Sequence, residues 1–358
     1  MTALNPHAFP KRAVPVPAIQ EIALEVIEIR RETADIVSFT FGTDGDFRHL
    51  PGQAVALNLP MQDGVATRMF TIASAGLTPG SFTVTMKAAA SGHATQWAHA
   101  ALTPGTRLSA RGPFGHFSLA FHPGEPLLLI GGGSGFTPMM SMLRWLHGRG
   151  EHVDVVVAQF AHASEDLLFA DELTQIDREM PHLHRVDCVS TVPEGSAWSG
   201  YRGRVSRALL RSMVPDLARR RVFCCGPEGF MAEVGKIHRA EGGDPARFLT
   251  ESFGPTKAPA PAEPTEPVAP GTGHKISYRG KSFDAIAGQP LTAVAARAGL
   301  RIPTGCGEGQ CGTCRLRLTE GQVEMHHQGG LSARDEAAGY ILACCSTAKS
   351  DLSLEDPA

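Results

Sequence analysis

No apolar run in the sequence reaches the 18 or so residues needed to span a membrane. The first residues lack the charged start, apolar core and small-residue cleavage site of a secretory signal. A cytoplasmic protein with no membrane partner is the expectation. A strong charge of one sign is missing as well. With a net charge of −3 and 19% charged residues, the chain has little to attract a nucleic acid or an anionic surface. A disulfide framework is also absent: of eight cysteines, Cys188, Cys224, Cys225 and Cys345 follow no framework spacing, which fits a reducing compartment. What is left is 358 residues of ordinary globular composition, 42% hydrophobic, enough for two or three domains.

The other four cysteines organise the reading. Cys306, Cys311 and Cys314 are spaced C-x4-C-x2-C in a glycine-rich run, and Cys344 follows downstream. Thiolates must converge on two irons from one tight loop, and glycines let backbone N–H groups turn toward the sulfur atoms. The spacing is that of plant-type ferredoxins, whose cysteines hold a [2Fe–2S] cluster. A structural zinc site is the plainer alternative, but it pairs C-x2-4-C twice, and this run does not. The last 85 or so residues therefore resemble a plant-type ferredoxin. Gly339-Tyr340-Ile341-Leu342-Ala343-Cys344 resembles that family's G-Y-x-L-x-C, which selects Cys344 over Cys345 as the fourth ligand. From His274 onward nine Lys/Arg balance nine Asp/Glu, unlike the acidic free ferredoxins; a tethered cluster has less need of that attraction.

Upstream the chain reads in order as an arm, a barrel and a nucleotide-binding unit. Residues 1–18 carry four prolines and no periodicity, so a loosely ordered arm is expected. Short alternating strands follow at 22–29, 36–41, 54–59 and 81–87, with turn signals such as Pro51-Gly52, and suggest an antiparallel barrel. The continuous apolar run Leu127-Leu128-Leu129-Ile130 suits a strand buried on both faces. It enters Gly131-Gly132-Gly133-Ser134-Gly135-Phe136-Thr137-Pro138 and then a helix over 139–147, the strand–loop–helix arrangement that cradles phosphates. Further βα units are read as strands at 153–158, 183–190 and 221–224, with helices at 166–178 and 205–213. Residues 255–273, with six prolines, form a semi-rigid linker. Beyond it a hairpin at 275–284 turns through Arg279-Gly280, and a helix covers 291–298.

Four motifs carry a second resemblance. Arg68-Met69-Phe70-Thr71-Ile72-Ala73-Ser74 is similar to the flavin motif of the ferredoxin reductase superfamily, and Gly131–Pro138 matches its G-G-x-G-x-[TA]-P. Cys225-Gly226-Pro227-Glu228-Gly229-Phe230-Met231 resembles its C-G-P-x-x-F-M, and Glu251-Ser252-Phe253 its terminal E-x-F. The resemblance implies that Arg68 neutralises a flavin phosphate, Phe70 stacks on the ring and Thr71 hydrogen-bonds near the reactive nitrogen. The family more often has Tyr at the place of Phe70. Met69, Ser74 and Lys87 would complete the flavin site, with Gly92 and Thr95 donating to the pyrophosphate. For nicotinamide the implied residues are Gly131, Gly132, Gly133, Gly135, Thr137, Pro138, Cys225, Gly226, Pro227 and Phe230. Phe253 and Glu251 would lie beside the flavin. Taken alone Cys225 is a small core residue; at a strand's carboxyl end over the sheet crevice it becomes a candidate. FMN-using relatives lack the Gly112-Pro113-Phe114-Gly115 turn, so FAD is expected.

The expected molecule has an antiparallel β-barrel for FAD at 19–122 and an α/β parallel-sheet NAD(P)-binding unit at 123–254. An α+β β-grasp ferredoxin unit follows at 274–358. Thr71, Cys225 and Glu251 are the candidate catalytic residues. The resemblance implies an oxidoreductase passing electrons from NADH through FAD and [2Fe–2S] to a partner protein. The nearest likenesses are reductases of Rieske-type oxygenases acting on betaine-like compounds, and the reductase of the hybrid-cluster protein. Direct reduction of a small molecule, and an iron–sulfur sensor that has lost its flavin, are the other classes weighed. No arginine lies in 159–166 after the ribose strand, so NADH is expected over NADPH. Arg202 or Arg204 is where a 2′-phosphate contact would otherwise come from.

Overall fold

The computed structural model describes residues 15–61, 64–88, 93–122, 124–253, 273–304, 307, 309, 312–327, 330–331 and 333–357. Most of the expected N-terminal arm and linker, together with Gly92, Cys306 and Cys311, lies outside them.

Period-two burial builds the first unit. In β1 (Gln20–Arg31) Ile22, Leu24 and Val26 point inward while Glu21, Ala23 and Glu25 alternate with them. They meet Phe39 and Phe41 of β2 (Ile36–Thr43), Leu57 and Leu59 of β3 (Ala54–Met61), and Val84 and Met86 of β5 (Ser81–Lys87). Each such side chain contributes about 1.5–3 kcal/mol by leaving water. With β4 (Gly64–Thr71) and β6 (Arg107–Phe114), the antiparallel sheet runs β4-β3-β6-β1-β2-β5. An Ile72–Val84 bridge joins its two edges, and the Ala73 amide donates to the Thr83 carbonyl at 2.7 Å, closing the barrel. Helix α1 (His93–Ala101) packs Ala94 and Ala98 onto this core.

The second unit is a parallel sheet in the order β10-β9-β8-β7-β11-β12. Its strands are β7 (Leu127–Gly132), β8 (Val155–Ala161), β9 (Leu183–Val189), β10 (Tyr201–Arg202), β11 (Arg221–Cys225) and β12 (Phe248–Glu251). The apolar run in β7 is explained by its two faces. Leu127 and Leu129 meet α2 (Thr137–Gly148) and α3 (Ala170–Glu179), whereas Leu128 and Ile130 meet α4 (Arg207–Met213) and α5 (Glu228–Ala240). The ribose strand expected at 153–158 begins two residues later and extends to Ala161. The helix expected at 166–178 is also corrected. Residues 164–166 form a separate 3-10 turn, and Phe169, at φ 56°, breaks the chain before α3 starts. Helix α4 starts after its cap: the Ser206 hydroxyl accepts from the Leu209 amide.

The two units are bolted together through α2. Ser141 Oγ donates to the Ser74 carbonyl at 2.7 Å and accepts from the Gly52 amide at 3.0 Å. Arg144 reaches the Ala73 carbonyl at 2.8 Å and forks onto Glu172 at 2.7 and 2.6 Å. Gly52, at φ +87°, has the Phe117 carbonyl where a Cβ would lie, so this turn requires glycine.

The third unit is a mixed sheet, β14-β13-β19-β15-β17, over one helix. The hairpin β13 (Lys275–Tyr278) and β14 (Lys281–Asp284) turns through Arg279 and Gly280, both at positive φ. Helix α6 (Leu291–Arg297) lays Leu291, Val294 and Ala295 on β15 (Arg315–Glu320), β17 (Tyr340–Leu342) and β19 (Leu352–Glu355). A small ribbon, β16 (Val323–Met325) with β18 (Ser346–Ala348), flanks Cys344, and α7 (Ala333–Ala337) precedes β17.

Candidate cofactor and redox site

Three places converge on the barrel's β4 edge and the carboxyl ends of the parallel strands. The first is a cavity of about 290 Å³ lined by Met69, Phe70, Thr71, Thr85, Thr95, Ser134, Thr137 and Phe253. Its wall alternates apolar rings and hydroxyls, as a flat heteroaromatic ligand needs. Phe253 is 47% exposed there, a large aromatic left facing the cleft. Arg68, on the same strand, is exposed, and its one hydrogen bond among the described residues goes to the neighbouring Thr67 carbonyl at 2.9 Å. A guanidinium with no carboxylate partner suits a phosphate. Ser74 is not brought to this cavity: its hydroxyl accepts from the Thr83 amide at 3.1 Å and lies 3.2 Å from His49 Nε2.

The second is a cleft of about 900 Å³ at the carboxyl ends of the strands, the usual ligand crevice of such sheets. Gly132, Gly133, Pro227 and Phe230 line one part of it, and His162, Asp166, Ser190 and Arg204 another. Lys87 borders both cavities and pairs with Asp35 at 3.2 Å. The glycines of the loop divide their work. A Cβ on Gly131 would fall 2.6 Å from Phe136 Cα, and one on Gly135 2.6 Å from the Cys225 carbonyl group, so these two allow the loop to lie against β11. A Cβ on Gly133 would meet nothing within 4 Å, whereas one on Gly132 would lie 3.3 Å from Pro227 and 3.4 Å from Phe230, which line the same cleft. Pro138 sits in the first turn of α2, where no N–H is needed. Gly226, at φ +154°, abuts Gly132.

Cys225 lies beneath this floor rather than on it. It is fully buried in the core, paired in the sheet with Gly131 on one side and Glu251 on the other. Burial first, then the nearby Glu251, pushes its thiol well above the ordinary range, so it stays protonated. Cys224, pushed up to about 12 by burial, packs on the opposite face.

Glu251 joins the two units chemically. Thr71 Oγ1 donates to its Oε2 at 2.8 Å, and burial raises the carboxyl to about 8 although this bond favours the ionised form. Glu251 also lines a third cavity, of about 450 Å³, with Met69, Phe114 and His116.

In the C-terminal unit the two described candidate ligands face each other. The Cys344 amide points at Cys314 Sγ at 3.4 Å, and the Gly309 amide at Cys344 Sγ at 3.2 Å. Amides aimed at sulfur stabilise thiolates and metal-bound sulfides. Cys345 Sγ instead donates to the Leu342 carbonyl at 3.6 Å and packs against the Cα of Gly309. None of the six described cysteines forms a disulfide.

The chain matches three family models in sequence: an oxidoreductase FAD-binding domain at 23–119, an oxidoreductase NAD-binding domain at 129–236 and a 2Fe-2S iron-sulfur cluster binding domain at 275–349. It is 36% identical to the glycine betaine monooxygenase reductase subunit of Chromohalobacter salexigens, over 92% of this chain and 94% of that one. It is 37% identical to the stachydrine N-demethylase reductase subunit Stc4 of Rhizobium meliloti, over 93% and 96%. The chain belongs to this family of FAD- and NAD-binding, [2Fe–2S]-carrying reductases.

Among solved structures, the Amycolatopsis cytochrome P450 reductase GcoB aligns with a TM-score of 0.60 and 25% identity, over 67% of this chain and 71% of that one. The ferredoxin reductase in carbazole 1,9a-dioxygenase has the same TM-score at 21% identity and shares the fold. The residues present in this reductase fit its three cofactors: an apolar, hydroxyl-edged slot with an exposed arginine on the same strand, a glycine-floored crevice, and cysteine sulfurs met by amides. The described residues contain no helix long and apolar enough to cross a membrane. Motif reasoning missed Thr85, Asp35 and Ser190, which reach the clefts from the middle of β5, a turn and a strand end. His162, in the stretch after the ribose strand, and Ser134, within the glycine loop, were within its reach.

Proposed function

We propose that this reductase draws electrons from NADH and delivers them to the oxygenase component of a Rieske-type monooxygenase or demethylase acting on a betaine-like, N-methylated compound. The observation that carries this is the full-length likeness to two reductase subunits, of a glycine betaine monooxygenase and a stachydrine N-demethylase, at 36% and 37% identity. The 28% likeness to the NADH oxidoreductase HCR of Escherichia coli supports NADH as the electron source, and a hybrid-cluster protein as acceptor is the second reading that the sequence resemblance implies. The units are taken as 19–122, 123–254 and 274–358, joined by a 255–273 linker, with an arm at 1–18, in a cytoplasmic protein.

When bound, FAD accepts a hydride and releases electrons singly, and the cluster carries them one at a time. The chain's own residues position and tune. Arg68 binds the flavin phosphate, Phe70 and Phe253 cover its ring, and Thr95 holds the pyrophosphate end together with Gly92. Gly132, Gly133, Pro227 and Phe230 admit nicotinamide over the buried wall made by Cys225. Glu251, protonated near neutral pH and hydrogen-bonded to Thr71, holds a proton beside the flavin without placing a full charge there. Cys306, Cys311, Cys314 and Cys344 are assigned as the cluster ligands.

The test is reconstitution with the oxygenase component from the same source, glycine betaine or stachydrine, and NADH. Formaldehyde release that needs both proteins supports the proposal. Electron flow to the oxygenase no faster than to dioxygen contradicts it, and points to a flavin enzyme that serves a small acceptor directly.

A further inference from the structure

Arg111 lies on β6, opposite Glu21 of β1, on the outside of the flavin barrel. An arginine there would ordinarily extend into water, yet its side chain is only 17% exposed. Its Nε pairs with Glu21 at 3.4 Å, and its guanidinium carbon stands 5.5 Å from the centre of the Phe114 ring. What covers it is the C-terminal unit. A Cβ on Gly312 would collide with Arg111 Nη1, and would sit 3.3 Å from Cζ and 2.8 Å from the Gly330 carbonyl oxygen. Gly312, at φ +66°, lies between the candidate ligands Cys311 and Cys314. Glycine is thus required there twice, for its backbone angle and to make room for an arginine from another unit.

On its other side Arg111 leads to the flavin cleft. Phe114, under its guanidinium, shares a cavity with Met69 and Glu251. Met69 also lines the cavity that holds Phe70 and Thr71. Packed side chains therefore run from the flavin slot through Met69, Phe114 and Arg111 to the cluster loop.

We infer that Arg111 is a positioning residue that seats the cluster loop on the flavin barrel and sets the flavin-to-cluster electron step. This rests on the reading that the C-terminal unit takes its electrons from the flavin. Each hydride would bring two electrons and a proton to the flavin; the electrons would leave singly, the cluster passing the first to the acceptor protein before taking the second, and the proton would go to solvent. A fixed guanidinium beside the loop shortens the gap. It also favours the more negative, reduced cluster, because local charge is one of the levers on a cluster's potential.

The experiment uses the full-length protein loaded with FAD and cluster, in wild-type form and as Arg111→Gln, Arg111→Lys and Glu21→Lys. The last repels Arg111 from the facing strand without touching either cofactor site, which guards against a Gln variant that merely loosens β6. Iron and FAD content and NADH–ferricyanide turnover, which reads hydride arrival at the flavin, are expected to stay within about twofold. Stopped-flow reduction of the cluster by NADH should slow at least about tenfold in Arg111→Gln, the scale of loss that misplacement of about an ångström brings. Glu21→Lys should slow it as well, and Arg111→Lys less. The cluster midpoint in an EPR-monitored titration should fall in Arg111→Gln and stay near wild type in Arg111→Lys. Cluster reduction within twofold of wild type in both Arg111→Gln and Glu21→Lys, with an unmoved midpoint, would overturn the assignment. A wild-type protein whose flavin is reduced by NADH while its cluster stays oxidised would instead sink the electron-transfer reading itself.

Discussion

Thr71 Oγ1 and Glu251 Oε2 lie 2.8 Å apart, joining the last residue of β4 to the last residue of β12 across the boundary between barrel and parallel sheet. Burial raises the carboxyl from 4.5 to about 8. Below about pH 4.5 the folded and unfolded chains both keep this proton. Between there and pH 8 the folded chain alone keeps it, so the stability it supplies is lost as pH rises through about 8. Turnover with an artificial dye should fall over the same window in the wild type. Glu251→Gln should have a lower maximum but no step near pH 8, in both the activity profile and the pH dependence of Tm. A wild-type profile that is flat from pH 6 to 9.5 would remove Glu251 from the proton-holding role.

Arg68→Ala should lose flavin while keeping iron, since it leaves a phosphate charge without its partner and Arg68 lies outside the cluster unit. Flavin and iron content of the purified variant decide it. Full flavin occupancy would make Arg68 a surface residue.

Cys344→Ser should abolish or greatly weaken the cluster, while Cys345→Ser leaves it intact. The amides of Gly309 and Cys344 are aimed at the Cys314–Cys344 pair, whereas the Cys345 thiol turns back to the Leu342 carbonyl. Equal iron content in both variants would show that the two cysteines can exchange as ligand, and loss of iron in Cys345→Ser alone would make Cys345 the fourth ligand.

NADH should be preferred over NADPH by at least about tenfold in kcat/KM, equivalent to roughly 1.4 kcal/mol. Asp166 lines the cleft beside Arg204 and opposes a second phosphate. If Arg204 grips the pyrophosphate, Arg204→Ala should lower kcat/KM for both nucleotides alike, by about tenfold, as for loss of one charge-assisted hydrogen bond. A loss confined to NADPH would mean that Arg204 reads the 2′-phosphate.

His49 is held neutral in the barrel wall, stacked 6.1 Å from the Phe47 ring centre, and burial lowers it to about 4. A depressed histidine supports folding above pH 6.5, and that support drains away as pH falls toward 4. The loss is roughly 3 kcal/mol over that range. His49→Gln should flatten the acid limb of the Tm profile; an unchanged acid limb would relocate the effect to other groups.

Where local chemistry dictates the backbone, the sequence was readable. The hairpin through Arg279-Gly280, the two-faced strand at Leu127–Gly132 and the proline in the first turn of α2 follow from turn chemistry and periodicity alone. The helix expected from Asp166 fails because Asp166 accepts from the Ala163 amide and closes a short turn, and Phe169 then adopts a left-handed angle that no propensity announces. The clefts were half legible. Motif residues such as Phe70, Gly132 and Pro227 line them, but Ser134 meets barrel residues, and Asp35 meets the sheet's cleft, only because α2 locks the barrel to the sheet. Cys225 illustrates the limit. Its place at a strand end was legible, but not its depth under the glycine loop, which depends on how closely Gly135 lets the loop approach.

The most direct test of the electron path is anaerobic addition of NADH to the cofactor-loaded protein, followed by low-temperature EPR. The spectrum of a reduced two-iron cluster should appear in the wild type and be absent from flavin-free Arg68→Ala at equal iron content. A cluster that stays oxidised while the flavin bleaches, or one that NADH reduces without flavin, would contradict the account.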